Sequence, residues 1–254
     1  MYCTIKALVL RVTTFKENDR LLTLLSDEIG LLTAKARGLN RKNSPLRSGC
    51  QLLCYSEFTL SENNGFYIIC EAEPIWMFNR LRQDIELLSL GSYFCQVLET
   101  VSNENVSEPE IVYLALNCLY ALDTLHKEQS LVKAVFELRL LSLLGFSPDM
   151  HACNICGRQD AVDFWLREGT LLCSSCSCVY GTGTHRLLSS AVRQAMCYIL
   201  SSDRKKMFSF QISDALRSEL ADVCESYLIE QLEQNFSALN FYKRLFIPVE
   251  KKNE

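Results

Sequence analysis

The period of the apolar residues changes near residue 78. Before that point, apolar side chains alternate with polar ones in short runs broken by turn signals. After it, they recur every three to four residues. Strands repeat their faces every two residues and helices about every 3.6, so the chain reads as a β part followed by an α part. "IKALVLRV" (5–12), "RLLTLLS" (20–26), "LLTAKARG" (31–38), "LLCYSEFTL" (52–60) and "FYIICEAE" (66–73) read as five strands. "DEIG" separates the second from the third, and Asn64-Gly65 is a hairpin signal between the fourth and fifth. Pro74 then ends the strand region. Two-stranded pieces do not hold together alone in water, so these strands predict a small closed or nearly closed barrel.

The helical part opens with "NRLRQDIELLSLGSYFCQVLETV" (79–101), where Gly91 marks a break. A second helix covers 107–125, with Ser107 and Pro109 at its start. A third covers 130–146, with Gly145 as its C-cap. Ser189 caps a fourth. Ser213 caps a fifth, in which Leu216, Leu220, Val223, Tyr227 and Leu228 form one stripe. There is no internal repeat, and the terminal "VEKKNE" reads as a frayed tail. The expected organisation is a barrel domain over 1–78 and a helical domain over 79–254, interrupted by a cysteine-rich insertion at about 150–180.

With 48% apolar and 22% charged residues, the 254-residue chain has the composition of a globular protein with a substantial core. No secretory signal opens it. Its longest uncharged apolar run, at 111–122, falls short of the roughly 20 residues that cross a bilayer. The expected location is therefore the cytoplasm. In that reducing setting clustered cysteines read as metal ligands or catalytic groups, and scattered ones (Cys3, Cys50, Cys54, Cys70, Cys95, Cys118, Cys197, Cys224) as small core hydrophobes.

Five of the thirteen cysteines lie in "HACNICGRQDAVDFWLREGTLLCSSCSCVY" (151–180). Cys153/Cys156 and Cys173/Cys176 form two C-x-x-C pairs separated by 16 residues, a tetrahedral zinc spacing. Cysteines three apart can turn both sulfurs to one point, and Gly157 supplies a permissive backbone after the first pair. "DFWLREGTLLC" between them reads as a hairpin with Glu168-Gly169 at its tip, so the segment describes a zinc ribbon. A redox C-x-x-C would sit near a βαβ pattern, and a zinc deaminase would show H-x-E before its P-C-x-x-C; here Ala152 and Cys153 follow His151 and Leu172 precedes Cys173. Four thiolates favour a closed structural site holding one zinc ion. Cys178 stands as an alternative fourth ligand to Cys176, and a degraded site that binds no metal also fits. His151 and His185 read as surface residues.

The formal net charge is −4, yet residues 1–50 carry +5 and the rest −9. "KARGLNRKNSPLR" holds Lys35, Arg37, Arg41, Lys42 and Arg47 and no acid. A basic arm on a five-stranded barrel is how such barrels track a nucleic-acid backbone while aromatics stack bases. Tyr55, Phe58, Phe66 and Tyr67 lie on nearby strands, where they either stack bases or fill the core. There is no Walker A, G-x-G-x-x-G or G-x-S-x-G motif, and nothing in the sequence argues for an enzyme.

These stretches resemble the RecO family of bacterial recombination mediators. "ALVLRVTTFKENDRLLTLLSDEIGLLTAKARG" (7–38) is similar to its N-terminal signature, including Glu17, Asp19, Arg20, Gly30 and Gly38. "FELRLLSLLGFSPDMHACNICG" (136–157) resembles the helix leading into its zinc motif, and "GTLLCSSC" (169–176) its second knuckle. The resemblance implies an OB-fold followed by a helical domain with a zinc-finger insertion. It implies binding of single- and double-stranded DNA and annealing of complementary strands. It also implies displacement of single-strand-binding protein, together with RecR, so that RecA can load. The DNA contacts are then expected at Lys35, Arg37, Arg41, Lys42 and Arg47, with Arg11 and Arg20 as further candidates. The acidic tail of single-strand-binding protein would need an apolar pocket rimmed by cations, and the cellular setting would be the nucleoid. A zinc-ribbon transcription or RNA-binding factor is the competing class; strand annealing separates the two. A metallohydrolase, with an open zinc site, is the third.

Overall fold

The computed structural model describes residues 2–63 and 65–247. Asn64 and the 249–254 tail therefore lie outside the described residues. Five strands, β1 (Tyr2–Thr14), β2 (Arg20–Ser26), β3 (Gly30–Ala36), β4 (Tyr55–Asn63) and β5 (Phe66–Trp76), form a closed barrel in the order β1-β2-β3-β5-β4. All pairings are antiparallel except β3 with β5, which is the closure of an OB-fold. β1 is longer than its apolar alternation suggests because it pairs with β2 through its second half and with β4 through its first. A bulge between Val9 and Arg11 bends it from one partner to the other.

Pro74 does not end the strand region. β5 continues to Trp76, and Pro74 sits beside a register shift where Tyr55 faces Trp76 and Ser56 faces Pro74. A proline is tolerated at such an irregularity because the ladder there does not need its missing N–H. The basic arm is not a free loop either. Leu39, Leu46, Cys50 and Cys54 point inward and join Val9, Leu24, Phe58 and Leu60 in the barrel core. The connection between β3 and β4 is thus a plug, apolar inside and cationic outside.

The helices are α1 (Asn79–Gln83), α2 (Ile85–Val101), α3 (Pro109–Asp123), α4 (Gln129–Leu143), α5 (Ser174–Tyr180), α6 (Ser190–Ser201), α7 (Asp214–Leu232) and α8 (Ser237–Arg244). The break in 79–101 falls at Asp84 rather than Gly91. Asp84 is extended and accepts the N–H groups of Glu86 and Leu87, so it caps α2. Gly91 is inside α2 because Leu53 packs on it: a Cβ there would lie 2.7 Å from Leu53 Cδ1. Ser107 does not cap α3, whose N-cap is Glu108; it donates to Asp27 O instead, and α4 begins at Gln129, one residue before Ser130, which accepts from Arg217. Gly145 ends α4 at φ +91, with Phe146 N–H on Leu141 O and Gly145 N–H on Ser142 O, a Schellman closure. Ser189 caps α6 through Val192 N–H.

The chain packs as two compact units, one running to Thr124 and resuming at Phe236, the other Leu125–Asn235. The first holds the barrel, α1 to α3 and α8. Within it Gln96 on α2 accepts Ala238 N–H and so caps α8, and Tyr93 meets Phe236 edge-on. The second holds α4 to α7 and a four-stranded sheet of β6 (Asp149–Cys153), β7 (Asp163–Trp165), β8 (Thr170–Leu172) and β9 (His185–Leu187), in the order β6-β8-β7-β9. β7 and β8 are the hairpin expected around Gly169, which takes φ +64. Among the described residues no helix is long and apolar enough to cross a membrane.

Candidate nucleic-acid interface and candidate metal centre

A groove of about 710 Å³ runs over the barrel face of β2, β3 and β5. Phe15 and Phe66 stand at its edges, from the β1–β2 and β4–β5 turns, with Tyr67, Lys35 and Arg37 between them. Phe66, the first residue of β5, is 75% exposed. Lys35 Nζ lies 4.7 Å from the centre of the Phe15 ring and 3.0 Å from Asp19 Oδ2. Asp19 Oδ1 accepts Gly38 N–H, and that bond, followed by Lys35, holds its carboxyl below the usual carboxylate range. Rings that offer flat faces beside cations that meet phosphates are the equipment of a single-strand groove.

The basic residues are distributed around this barrel. Lys35 and Arg37 line the groove. Arg41, Lys42 and Arg47 are exposed on the outer side of the plug. Arg11 is paired with Glu99 at 2.6 Å, and Arg20 donates to the carbonyls of Lys16 and Asp19, bracing the β1–β2 turn. Of the strand aromatics, Phe58 is fully buried in the core and Tyr55 is half-buried, whereas Phe66 and Tyr67 face the groove. Phe15 was not singled out by sequence reasoning. Its signal is an aromatic residue in the otherwise polar turn "TTFKENDR".

In the second unit the Sγ atoms of Cys153, Cys156, Cys173 and Cys176 all lie within 4.8 Å of one another. Cys156 and Cys173 sulfurs are 3.7 Å apart. Tetrahedral zinc with bonds of about 2.3 Å would space its sulfurs by about 3.8 Å. The first pair sits in a knuckle closed by Gly157 N–H on Cys153 O, with Gly157 at φ +75. The second pair straddles the first turn of α5, with Cys173 as its N-cap. Burial pushes the Cys153 thiol up, but N–H groups of Cys173, Cys156 and Ile155 around its sulfur outweigh that and bring it to about 6. Cys176 is pushed up to about 12, first by sharing a proton with Cys156 and Cys173. A thiolate ringed by amide N–H groups beside three more thiols is a donor set suited to a tetrahedral cation. Cys178 is exposed and outside this cluster, since two residues along a helix turn a side chain to the opposite side.

The ribbon is pinned to its unit by backbone recognition. The Arg193 guanidinium on α6 donates to the carbonyls of Met150, His151, Gln159 and Ala161. Tyr227 on α7 donates to Phe146 O, and Gln231 to Leu166 O and Arg167 O. His185 pairs with Asp163 and stacks on Trp165, so neither it nor exposed His151 joins the cysteine cluster. Of the scattered cysteines, Cys50, Cys54, Cys95, Cys118 and Cys224 are buried. Cys70 departs from the expectation: it is exposed on β5 because Ile69 takes the inward face and the next side chain must point out.

An OB barrel with an aromatic-edged groove lined by Lys35 and Arg37, followed by helices and a four-cysteine cluster, is the architecture expected of the RecO class. The comparisons agree. The family model described as "Recombination protein O N terminal" matches residues 1–78, and "Recombination protein O C terminal" matches 82–239. The chain is 32% identical to the DNA repair protein RecO of Acetivibrio thermocellus over 246 residues, 96% of this chain and 97% of the relative. It is 31% identical to that of Desulforudis audaxviator, over 95% of this chain and 96% of the relative. To that of Alkaliphilus metalliredigens it is 26% identical, over 93% and 97%. The chain belongs to the RecO family of DNA repair proteins.

Proposed function

We propose that the chain is a recombination mediator that holds DNA and makes or breaks no covalent bond. The observation that carries this reading is the groove in which Phe15, Phe66 and Tyr67 stand beside Lys35 and Arg37. Single-stranded DNA lies there with bases on the rings and phosphates on the cations, and Arg41, Lys42 and Arg47 extend the contact to duplex DNA. The barrel domain over 1–78 acts as the DNA module, with Arg11 and Arg20 as peripheral contacts. A cationic surface that screens two backbones from each other lets complementary strands anneal and releases their counterions. In the same reading the protein acts with RecR to displace single-strand-binding protein, gripping its acidic tail, so that RecA can load. It works at the nucleoid in the cytoplasm.

Cys153, Cys156, Cys173 and Cys176 hold one structural zinc ion in this reading. The ion fixes the ribbon in place, and four sulfurs leave it no open position for a substrate.

The test is annealing of complementary oligonucleotides coated with single-strand-binding protein, with and without RecR. The expected result is faster annealing with this chain, and RecA filament formation only when RecR is added. Absence of annealing on bare and coated strands alike would overturn the reading.

A further inference from the structure

A second cavity in the first unit belongs to no function described above. It measures about 430 Å³ and lies between the plug, β1 and the α1–α2 segment. Val12, Leu39, Leu52 and Leu88 line it, together with Arg47 and Arg82. The two arginines are differently held. Arg47 is exposed, and its side chain donates to the Arg41 carbonyl at 3.5 Å. Arg82 is fixed: its Nη2 donates to Asn79 Oδ1 at 2.8 Å. Its Nη1 is buried and has no hydrogen-bond partner among the described residues. A guanidinium N–H held out of water without an acceptor is costly, and an anion relieves that cost.

The position of the cavity indicates which anion. Arg37 lines the groove and Leu39 lines the cavity, two residues on, at most about 7 Å of chain away. The two sites are therefore consecutive along the same cationic edge. Among the described residues the cavity has no aromatic lining, so it offers a base no stacking platform. It offers apolar walls to the carbon face of a sugar and two arginine side chains to a phosphate. From this we infer that Arg82 and Arg47 clamp a phosphodiester of the DNA strand as it leaves the groove, which makes Arg82 a DNA contact outside the barrel.

This inference rests on the groove reading, and the two fail in different ways. Full-length protein is titrated by fluorescence anisotropy against oligothymidylates from about 4 to about 16 nucleotides, the range of site sizes on such barrels. Short oligonucleotides report on the groove alone, and long ones on groove plus clamp. Arg82→Gln should leave short-oligonucleotide affinity unchanged and lower long-oligonucleotide affinity on the order of tenfold. It should also reduce the slope of log affinity against log salt by about 0.7, one phosphate contact. Arg82→Lys should restore the slope and only part of the affinity, because it keeps the charge and loses the fork. Arg47→Gln, on an exposed side chain, reads the same contact should Arg82→Gln fold poorly.

Unchanged affinity and slope at every length would overturn the clamp, and so would equal losses at every length, which would assign Arg82 to the fold. So would an acidic apolar peptide that binds the wild type and not Arg82→Gln while long-oligonucleotide affinity stays the same, since the cavity would then serve a protein partner. Loss of the groove reading shows elsewhere: Phe66→Ala would leave short-oligonucleotide affinity intact.

Discussion

Lys35 Nζ lies 3.0 Å from Asp19 Oδ2, so a cation of the groove is held by an acid of the neighbouring turn. The pair competes with DNA for the same ammonium. Asp19→Asn keeps an oxygen that can accept Gly38 N–H and removes the charge. Single-stranded oligonucleotides should then bind several-fold more tightly. The slope of log affinity against log salt should steepen by about 0.7, because Lys35 is free to meet one more phosphate. Anisotropy titrations over a salt series would show this, and an unchanged slope would mean that Lys35 does not reach the backbone.

The same carboxyl sets a limit at acid pH. Its pKa in the folded chain is lowered, chiefly by Gly38 N–H and then by Lys35. A depressed folded value means that the stabilisation is present above the unfolded value of about 3.9 and is lost as pH falls through the folded one. Thermal unfolding followed from neutral pH downward should therefore show wild type losing its advantage over Asp19→Asn in that acid range only. A difference between the two that did not change with pH would contradict the assignment.

Two phenylalanines on adjacent strands separate stacking from packing. Phe66 is 75% exposed and Phe58 is fully buried. Phe66→Ala should cost about 1–3 kcal/mol in single-strand binding, as for one stacked base, with little change in unfolding. Phe58→Ala should cost about 3–5 kcal/mol in stability from the cavity it leaves. Urea unfolding and anisotropy on the two variants give the double comparison; a binding loss confined to Phe58→Ala would move the stacking platform elsewhere.

Strand alternation and cysteine spacing made the barrel and the ribbon legible, because both depend on local period. The β7–β8 hairpin with Gly169 at φ +64 is such a case, and so is the Gly145 closure of α4. What escaped depends on partners distant in sequence. Gly91 reads as a break until Leu53 is seen packed on it. The stretch around Leu46 and Cys50 reads as a basic loop until its apolar residues are seen inside the barrel. α8 is only eight residues long, and its cap comes from Gln96, more than a hundred residues earlier. Arg82 escaped for the same reason: one of two arginines in "NRLRQ", it has no local signature, and what sets it apart is the cavity it lines and its buried Nη1.

The candidate metal centre gives a pair of opposed outcomes. Cys176 lies in the four-sulfur cluster and Cys178 is outside it. Cys176→Ser should lose the metal and loosen the ribbon, and Cys178→Ser should keep one equivalent. Metal binding displaces the thiol protons, so retention should fall as pH is lowered, most steeply once Cys153, at about 6, is also protonated. Metal content after dialysis at graded pH checks both. Full metal in Cys176→Ser would show that three sulfurs suffice or that Cys178 moves in.

The second unit is centred on a charge cluster that sequence pattern alone hides. Lys133 on α4 is 4% exposed and contacts Glu137 at 3.0 Å and Glu225 of α7 at 2.8 Å. Burial pushes the Lys133 ammonium pKa down, but the two carboxylates more than reverse this and raise it, so the lysine stays charged. Lys133→Ala removes the cation and leaves two acids in a dry site, Glu137 fully buried. The expected loss is about 3–5 kcal/mol, as for breaking a buried ion pair from one side. Replacing Lys133, Glu137 and Glu225 together by apolar residues of similar volume should recover most of that loss, because no uncompensated charge remains. Denaturant midpoints for the single and triple variants decide it. A mild single variant would mean that Glu137 takes up a proton or that water reaches the site, and a triple variant as unstable as the single one would mean that packing, not charge, sets the loss.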